Sequence, residues 1–176
     1  MRYWLNFFRR TRREYFADFF ITPPITVALL ALSLSTSFSA TWPLKFLAGL
    51  VLWTFYEYAT HRWVMHAIWP FREAHALHHA DQQDYIALHP LVTLGLYAVT
   101  AAIFGVNSSA VTVGFSVGYI VYSSYHTAFH YAIIWPTSWL YQPKLRHDIH
   151  HRMPKNFGVT TSLWDRIFGT ELKKGK

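Results

Sequence analysis

Four apolar runs, each close to the length that crosses a bilayer, divide this chain. The first opens at Thr22 and reaches about residue 40, and the second opens at Pro43 and continues toward residue 61. The third covers about residues 90–106 and the fourth about residues 109–134. A membrane-spanning helix needs roughly 20 apolar residues, so the shorter first and third runs fit spans with little tilt or a locally thinner bilayer. The runs predict an all-α integral membrane bundle of about four transmembrane helices.

The composition agrees with a small membrane protein and excludes several kinds of site. Of the 176 residues, 52% are hydrophobic and 14% are charged, and the length fits one domain. The chain has no cysteine. Disulfides, zinc–thiolate sites and cysteine-ligated iron–sulfur clusters are therefore excluded, and any bound metal takes nitrogen or oxygen ligands. The net charge of +7 does not indicate nucleic acid as a partner, because the basic residues flank the apolar runs.

The basic residues predict the orientation of the bundle. Of the 16 Lys and Arg residues, 15 lie before the first run, between the second and third, or after the fourth, and only Lys45 falls on the opposite side. By the positive-inside rule both termini are then cytoplasmic, in a bacterial inner membrane or the endoplasmic reticulum. Residues 1–20 mix aromatic residues with arginines and are expected to form an interfacial amphipathic helix.

Two local signals refine the predicted helices. Thr22 is expected to cap the first span, with Pro23 and Pro24 in its first turn. Gly114 and Gly118 are four residues apart in the fourth run. Small residues at this spacing favour a seam along which another helix approaches closely.

Ten of the eleven histidines stand in four tight groups on the predicted cytoplasmic side. Histidine is costly near a membrane, so four such groups need a shared reason, and a cluster of metal ions at the membrane surface supplies one. The candidate ligands are His61, His66, His75, His78, His79, His126, His130, His147, His150 and His151. The eleventh, His89, stands alone before Pro90 and is expected to cap or pack.

Helical spacing predicts how these histidines converge. Residues three and four apart share a helix face, so each His-x-x-His-His group is expected to converge on one point. His61 and His66 are five apart and point in different directions on an ideal helix, so they serve different metals or the helix ends between them. Ten ligands suit two ions with about five each. We expect the two His-x-x-His-His groups to repeat a motif and not a fold unit.

Carboxylates are expected next to the ligands, because ligating imidazoles usually donate their other N–H to an acceptor. Glu57, one helical turn before His61, is the strongest candidate, since a carboxylate that deep in a span needs a partner. Four further candidates can equally be solvated surface charges. These are Asp81, Asp84, Asp148 and Asp165.

The histidine groups resemble the histidine boxes of the fatty acid hydroxylase/sterol desaturase superfamily of membrane di-iron oxygenases. Residues 57–66 and 126–130 are similar to boxes of fatty acid 2-hydroxylases, and residues 156–170 resemble the closing signature of the superfamily. The resemblance extends from about Glu57 to Thr170. It implies that the ten grouped histidines hold two iron ions, for which zinc can substitute during preparation. It assigns no catalytic side chain beyond the two-metal centre.

The same resemblance implies an O2-dependent hydroxylase that oxidises a lipid acyl chain, of a fatty acid or sphingolipid. A metal site at the membrane surface favours oxidation near the head group. Residues 88–91 and 143–147 are closer to the sterol desaturase branch. A sterol or lipid desaturase and a carotenoid hydroxylase of the same superfamily therefore stay open. From the residues alone, a membrane zinc hydrolase and a non-enzymatic membrane metal-binding protein stay open as well.

The expected domain organisation is one membrane-embedded domain over residues 1–176, with a histidine-rich helical cap on the cytoplasmic side. We expect no fused cytochrome b5 domain, because the chain has no His-Pro-Gly-Gly haem motif. The two electrons that each turnover needs are then expected to come from a separate donor, cytochrome b5-like or ferredoxin-like, that binds on the cytoplasmic face.

Overall fold

The computed structural model describes residues 6–87, 95, 98–99, 102–103 and 109–172. Within those ranges no β-strand forms, and the backbone is mainly helical, as predicted. His89 and most of the third apolar run lie outside the described residues. The helices are α1 (Arg12–Phe16), α2 (Asp18–Ser37), α3 (Trp42–Ala59), a π-helix (Thr60–Met65), α4 (Phe71–Ala80), α5 (Ser109–Tyr131), α6 (Tyr141–His150) and α7 (Leu163–Ile167).

One stretch of the described residues, Arg12–Ser37, is helical and both long and apolar enough to cross a membrane. Only 17% of its most apolar window is buried within the protein, as expected for a helix surrounded by lipid. The second and fourth apolar runs form α3 and α5, in which polar and aromatic side chains interrupt the apolar sequence. A bundle of four transmembrane helices with a cytoplasmic cap therefore stays a prediction.

The beginning of the chain is not one interfacial helix. Residues 8–10 are not helical and pair with residues 85–87 in an isolated antiparallel bridge, with the Arg10 N–H donating to the Tyr85 carbonyl at 2.8 Å. Helix α1 begins only after Thr11, whose side chain forms a reciprocal capping box with Glu14. The predicted helix over residues 1–20 is therefore interrupted: residues 8–10 pair with another stretch of backbone, whereas residues 12–16 and 18–20 are helical. That this part of the chain lies at the membrane interface stays a prediction.

Helix α2 begins four residues before the predicted cap. Asp18 occupies its first turn, where a carboxylate offsets the partial positive charge of a helix N-terminus. Pro23 and Pro24 consequently lie inside the helix, and the Thr22 side chain is buried and caps nothing. The prediction that Thr22 caps the first span is therefore wrong.

The chain forms two compact units, the first comprising residues 1–53 and 85–120 and the second residues 54–84 and 121–176. In the first unit, the glycine seam of α5 packs closely on α3. A Cβ atom on Gly114 would lie 2.0 Å from the Phe46 carbonyl oxygen, and one on Gly118 would lie 2.6 Å from the Trp53 side chain. The predicted packing role of these two glycines is confirmed.

The second unit contains all ten grouped histidines. It consists of the end of α3, the π-helix, α4, the end of α5, α6, α7 and the residues that surround α7. We call residues 155–172 the closing segment. Its buried side chains include Asn156, Phe157 and Asp165. The Trp164 indole N–H donates to the Thr54 hydroxyl at 3.0 Å and so holds α7 against the end of α3.

Candidate metal centre

The structure brings the ten grouped histidines into two clusters of five. Within each cluster, one ring nitrogen of every histidine lies within 4.8 Å of those of the other four. The two clusters adjoin, because the ring centroids of His79 and His151, one from each cluster, are 4.4 Å apart. Cluster A consists of His61, His66, His75, His79 and His150, and cluster B consists of His78, His126, His130, His147 and His151.

The spacing of the ring nitrogens fits a metal ion in each cluster. In cluster A, the Nε2 atom of His75 lies 3.0 Å from the Nε2 atoms of His61 and His79. In cluster B, His147 has the same 3.0 Å spacing to two neighbouring Nε2 atoms. Two nitrogens bound to one ion at about 2.1 Å and at right angles are about 3.0 Å apart. An all-imidazole donor set suits iron, copper or zinc.

Burial holds these imidazoles in the neutral form that binds metals. Loss of solvent, followed by repulsion from neighbouring histidines, lowers the pKa of His78 to about 3 and the pKa of His150 to about 2. The same causes lower the pKa of His151 to about 2. The Nε2 atom of His78 is also buried and has no protein partner among the described residues. A bound metal ion would accept the lone pair of this nitrogen and so give it the partner that the protein does not supply.

The π-helix explains why His61 and His66 belong to the same cluster. In this stretch the His66 N–H donates to the His61 carbonyl five residues earlier, at 3.2 Å. The wider turn places residues five apart above one another, whereas an α-helix would turn them away. The expectation that the two residues serve different metals is therefore wrong in this geometry. The second possibility was that the helix ends between them. The α-helix ends earlier, at Ala59, and it is the π-helix that ends between them, at Met65.

The two clusters share one local design. In each, a helix that ends with two histidines is followed by Ile-Trp-Pro, at residues 68–70 or 134–136, and by a second helix with His-x-x-His-His. The outer two histidines of His-x-x-His-His enter their own cluster, and the middle ones, His78 and His150, enter the other. Adjacent helical residues are about 100° apart, so His78 and His79 face different clusters. The expected convergence of each His-x-x-His-His group on one point is therefore wrong.

Two histidines of cluster A bond to backbone carbonyls on the side away from the cluster. The Nδ1 atom of His61 lies 2.5 Å from the Phe157 carbonyl oxygen, and that of His150 lies 2.9 Å from the Lys155 carbonyl oxygen. Since both Nε2 atoms face other histidines, Nδ1 carries the proton and donates it to the carbonyl. Such bonds fix the tautomer and the ring orientation of a metal ligand.

Asp165 holds the part of the closing segment that supplies one of these carbonyls. Its carboxylate accepts hydrogen bonds from the N–H groups of Phe157 at 2.8 Å and Gly158 at 2.9 Å, and from the Thr170 hydroxyl at 2.7 Å. The side chain is 1% exposed. The predicted position of Asp165 near the ligands is thus observed, but it contacts the backbone and not an imidazole.

Glu57 holds the next two residues of the same segment. Its carboxylate accepts from the N–H groups of Val159 at 2.5 Å and Thr160 at 3.0 Å, and from the Thr160 hydroxyl. The predicted pairing of Glu57 with His61 is wrong, because the two ring nitrogens of His61 face the Phe157 carbonyl and the Nε2 atom of His75. Glu57 reaches His61 only through the backbone of the closing segment.

Asn156 lies between the two carbonyl groups that contact cluster A. Its φ of 55° is left-handed, a conformation that Asn tolerates better than most residues. The Asn156 side chain accepts from the Leu172 N–H at 2.7 Å and donates to the Leu172 carbonyl at 3.2 Å. These bonds hold the turn that directs the carbonyls of Lys155 and Phe157 at cluster A.

The remaining predicted carboxylates have other surroundings. Asp81 accepts from the Gln83 N–H at 3.0 Å and so closes the turn after α4. Asp148 pairs with Lys144 at 2.8 Å, one turn away on α6. Asp84 is half-buried in the turn after α4, and its role near the metal ligands stays a prediction.

Sequence reasoning missed the backbone carbonyls of Lys155 and Phe157, because a carbonyl acceptor leaves no residue-type signal. It also missed a cavity of about 200 Å³ next to cluster A, lined by His66, Arg72, His75, Ala76 and His79. The residue type at position 156 is the signal that could have indicated the sharp turn, because Asn adopts a left-handed φ more readily than most residues.

Comparison with known proteins agrees with this geometry. A family model for fatty acid hydroxylases matches residues 46–170, which include every grouped histidine and most of the closing segment. A dihydroceramide fatty acyl 2-hydroxylase from Arabidopsis thaliana is 31% identical, over 69% of this chain and 58% of its own length. The fatty acid 2-hydroxylase of Mus musculus is 29% identical, over 71% of this chain and 38% of its own length.

A solved structure shares the fold. The visible hydroxylase domain of full-length scs7p superposes with a TM-score of 0.75 at 22% sequence identity, covering 96% of this chain and 69% of that one. This chain thus spans between about two-fifths and two-thirds of the proteins that it resembles. Because the match with the family model covers well over half of the chain and includes both histidine clusters, the chain belongs to the fatty acid hydroxylase family.

Proposed function

We propose that this chain is a membrane-bound, O2-dependent hydroxylase of lipid acyl chains that works with two iron ions. The observation that carries the proposal is the pair of adjoining five-histidine clusters. The histidines of cluster A would hold one ion and those of cluster B the other. Bound iron would supply the activation of dioxygen that hydroxylation of an unactivated C–H bond requires.

The protein would contribute ligands, orientation and exclusion of water. With their Nε2 lone pairs bound to iron, the histidines would have none left for use as a general base. The buried, neutral rings instead present a fixed set of nitrogen donors. Removal of one ring would disturb its neighbours, since the nearest Nε2 atoms lie 3.0–3.3 Å apart.

The proposed substrate is a fatty acyl chain, free or in a sphingolipid, oxidised at the carbon next to the carboxyl or amide group. The names of the matched relatives support this, because they specify 2-hydroxylation of fatty acids and of dihydroceramide acyl chains. These names favour hydroxylation of an acyl chain over sterol desaturation and carotenoid hydroxylation. A substrate with its polar head at the membrane surface would place that carbon at the depth of the histidine clusters.

Lipid mass spectrometry tests this proposal. Protein loaded with iron and supplied with ceramide, reductant and ¹⁸O2 should form a product heavier by one ¹⁸O atom at carbon 2. The matched control is the His75→Ala variant under the same conditions. Loss of two hydrogens would identify a desaturase instead. Tight metal binding without any oxidised lipid would favour the non-enzymatic metal-binding protein.

The proposed topology places both termini in the cytoplasm. The absence of native cysteine makes this testable, since one introduced thiol is then the only one in the chain. In intact cells, a membrane-impermeant thiol reagent should label Lys45→Cys and leave Arg13→Cys and Arg152→Cys unlabelled. Labelling of Arg152→Cys from outside would reverse the orientation.

The proposed electron donor is a separate, acidic carrier, cytochrome b5-like or ferredoxin-like, on the cytoplasmic face. Several of the basic side chains already have partners within the chain, such as Lys144 with Asp148 and Arg166 with Glu171. The exposed Arg152 and the half-buried Lys155 are therefore the better candidates for a docking contact. Charge reversal at both positions should slow turnover with a protein carrier more than turnover with a small chemical reductant.

A further inference from the structure

The two clusters differ on the side of the rings that faces away from the metal-binding nitrogens. In cluster A, His61 and His150 donate to the carbonyls of Phe157 and Lys155. In cluster B, the Nδ1 atoms of His130, His147 and His151 are buried and have no protein acceptor within the described part of the chain. The ligand sets are equivalent, but within the described residues the backbone holds two rings of cluster A from behind and none of these three rings of cluster B.

The structure assigns the closing segment a specific role: it makes cluster A the tighter of the two metal sites, so that cluster A fills first. This inference rests on the proposed two-metal centre. Glu57, Asp165 and Asn156 are then positioning residues, which act on the metal through the carbonyls of Lys155 and Phe157.

The physical reason is preorganisation. A ligand whose ring orientation and tautomer are already fixed loses less freedom when it binds metal, and an acceptor on Nδ1 raises the basicity of Nε2. Removal of such partners typically weakens metal affinity by about 10–100-fold. The three rings of cluster B that have no such acceptor among the described residues are held by packing alone and lose more freedom when the ion binds.

The two carboxylates hold the carbonyls firmly because neither is shared with solvent. Asp165 and Glu57 are 1% and 4% exposed, and together they accept four backbone N–H groups from residues 157–160. The backbone at Gly158 also packs closely against the Thr161 carbonyl oxygen, which would lie 2.1 Å from a Cβ atom at position 158. The segment thus has little freedom to carry its carbonyls away from cluster A.

The design of the test uses variants that leave only one cluster able to bind. His147→Ala with His151→Ala disables cluster B, and His75→Ala with His79→Ala disables cluster A. Metal-free protein is titrated with Co²⁺, whose visible absorption bands report the geometry of the ligands. We expect the variant that keeps cluster A to bind its ion at least about 10-fold more tightly than the one that keeps cluster B.

Asp165→Asn is then added to each single-cluster variant. The substitution places an amide N–H₂ against backbone N–H groups whose hydrogen bonds the carboxylate accepted. Co²⁺ affinity should fall about 10–100-fold and the absorption bands should change when only cluster A is present. Neither should change when only cluster B is present. The matched control is Asp148→Asn, the same substitution at a carboxylate that pairs with Lys144 and contacts no part of the closing segment.

If circular dichroism shows that the Asp165→Asn variant has lost its helices, the same titrations are made with Glu57→Gln. Equal losses in both backgrounds would show a general effect on folding and overturn the inference. Unchanged affinity in the cluster A background would overturn it as well. If the unmutated protein binds fewer than two Co²⁺ ions, the proposed two-metal centre is wrong. If it binds two but the single-cluster variants have equal affinities, only the proposed role of the closing segment is wrong.

Discussion

Clusters A and B are built from the same local design, yet their surroundings differ. Each consists of four histidines from one pair of helices and one from the other pair, with Nε2 atoms 3.0 Å apart around a central His75 or His147. Only cluster A is supported from behind by the closing segment. Equal ligand sets therefore do not make equal sites, and the difference comes from a part of the chain that contributes no ligand.

The largest expected effect comes from loss of a central ligand. His75→Ala and His147→Ala each remove the ring whose Nε2 atom lies 3.0 Å from two others. Each variant should retain fewer than two metal ions and lose hydroxylation by more than about 100-fold, beyond the usual effect of a residue next to a ligand. Metal analysis and product formation measure this. Two retained ions in either variant would contradict the assignment of that ring as a ligand.

A smaller effect is expected at Asn156, where two substitutions distinguish the contribution of the backbone conformation from that of the side-chain hydrogen bonds. Asn156→Gly keeps the left-handed φ of 55° and loses the bonds to Leu172, whereas Asn156→Ala loses both. Alanine in this conformation costs roughly 1–2 kcal/mol more than glycine. Thermal unfolding should rank the unmutated protein above Gly and Gly above Ala, and Co²⁺ affinity of cluster A should follow the same order. Equal affinities for the two variants would exclude the backbone turn as the cause.

A change in the first unit should lower stability without distinguishing the clusters. A Cβ atom on Gly114 would meet the Phe46 backbone, so Gly114→Ala should destabilise the fold by about 1–3 kcal/mol. Thermal unfolding in detergent measures that loss. The ratio of the Co²⁺ affinities of the two clusters should stay the same. A selective loss at cluster A would mean that its higher affinity reflects general stability and not the closing segment.

The smallest effect is expected from Asp148→Asn. The Lys144–Asp148 ion pair is about a quarter exposed on each side, and such pairs typically contribute about 0–1 kcal/mol. Metal content, the order of filling and thermal stability should therefore stay close to those of the unmutated protein. A large loss of metal from cluster B, to which the neighbouring His147 belongs, would give that cluster a supporting carboxylate and weaken the contrast between the clusters.

The sequence was enough to select the ten histidines and to predict helices, because residue type and apolar length carry both signals. It also indicated the close packing at Gly114 and Gly118. It did not show how the histidines divide. That division depends on the π-helix, which brings His61 and His66 together, and on the 100° between adjacent helical residues, which separates His78 from His79.

The hydrogen-bond partners of the two buried carboxylates could not be predicted from the sequence either. Glu57 was expected to bond to His61, four residues away, but it bonds to Val159 and Thr160, about 100 residues later in the chain. Long-range pairing of a carboxylate with backbone N–H groups leaves no periodic signal. Only the three-dimensional arrangement relates Glu57 and Asp165 to the metal ligands that they support.

The order in which the two clusters fill is the most direct test of this account. Crystals of metal-free protein given one equivalent of Co²⁺ should show anomalous scattering mainly among His61, His66, His75, His79 and His150. With excess Co²⁺, a second peak of equal height should appear among His78, His126, His130, His147 and His151. Equal peaks at one equivalent, or a first peak in cluster B, would contradict the account.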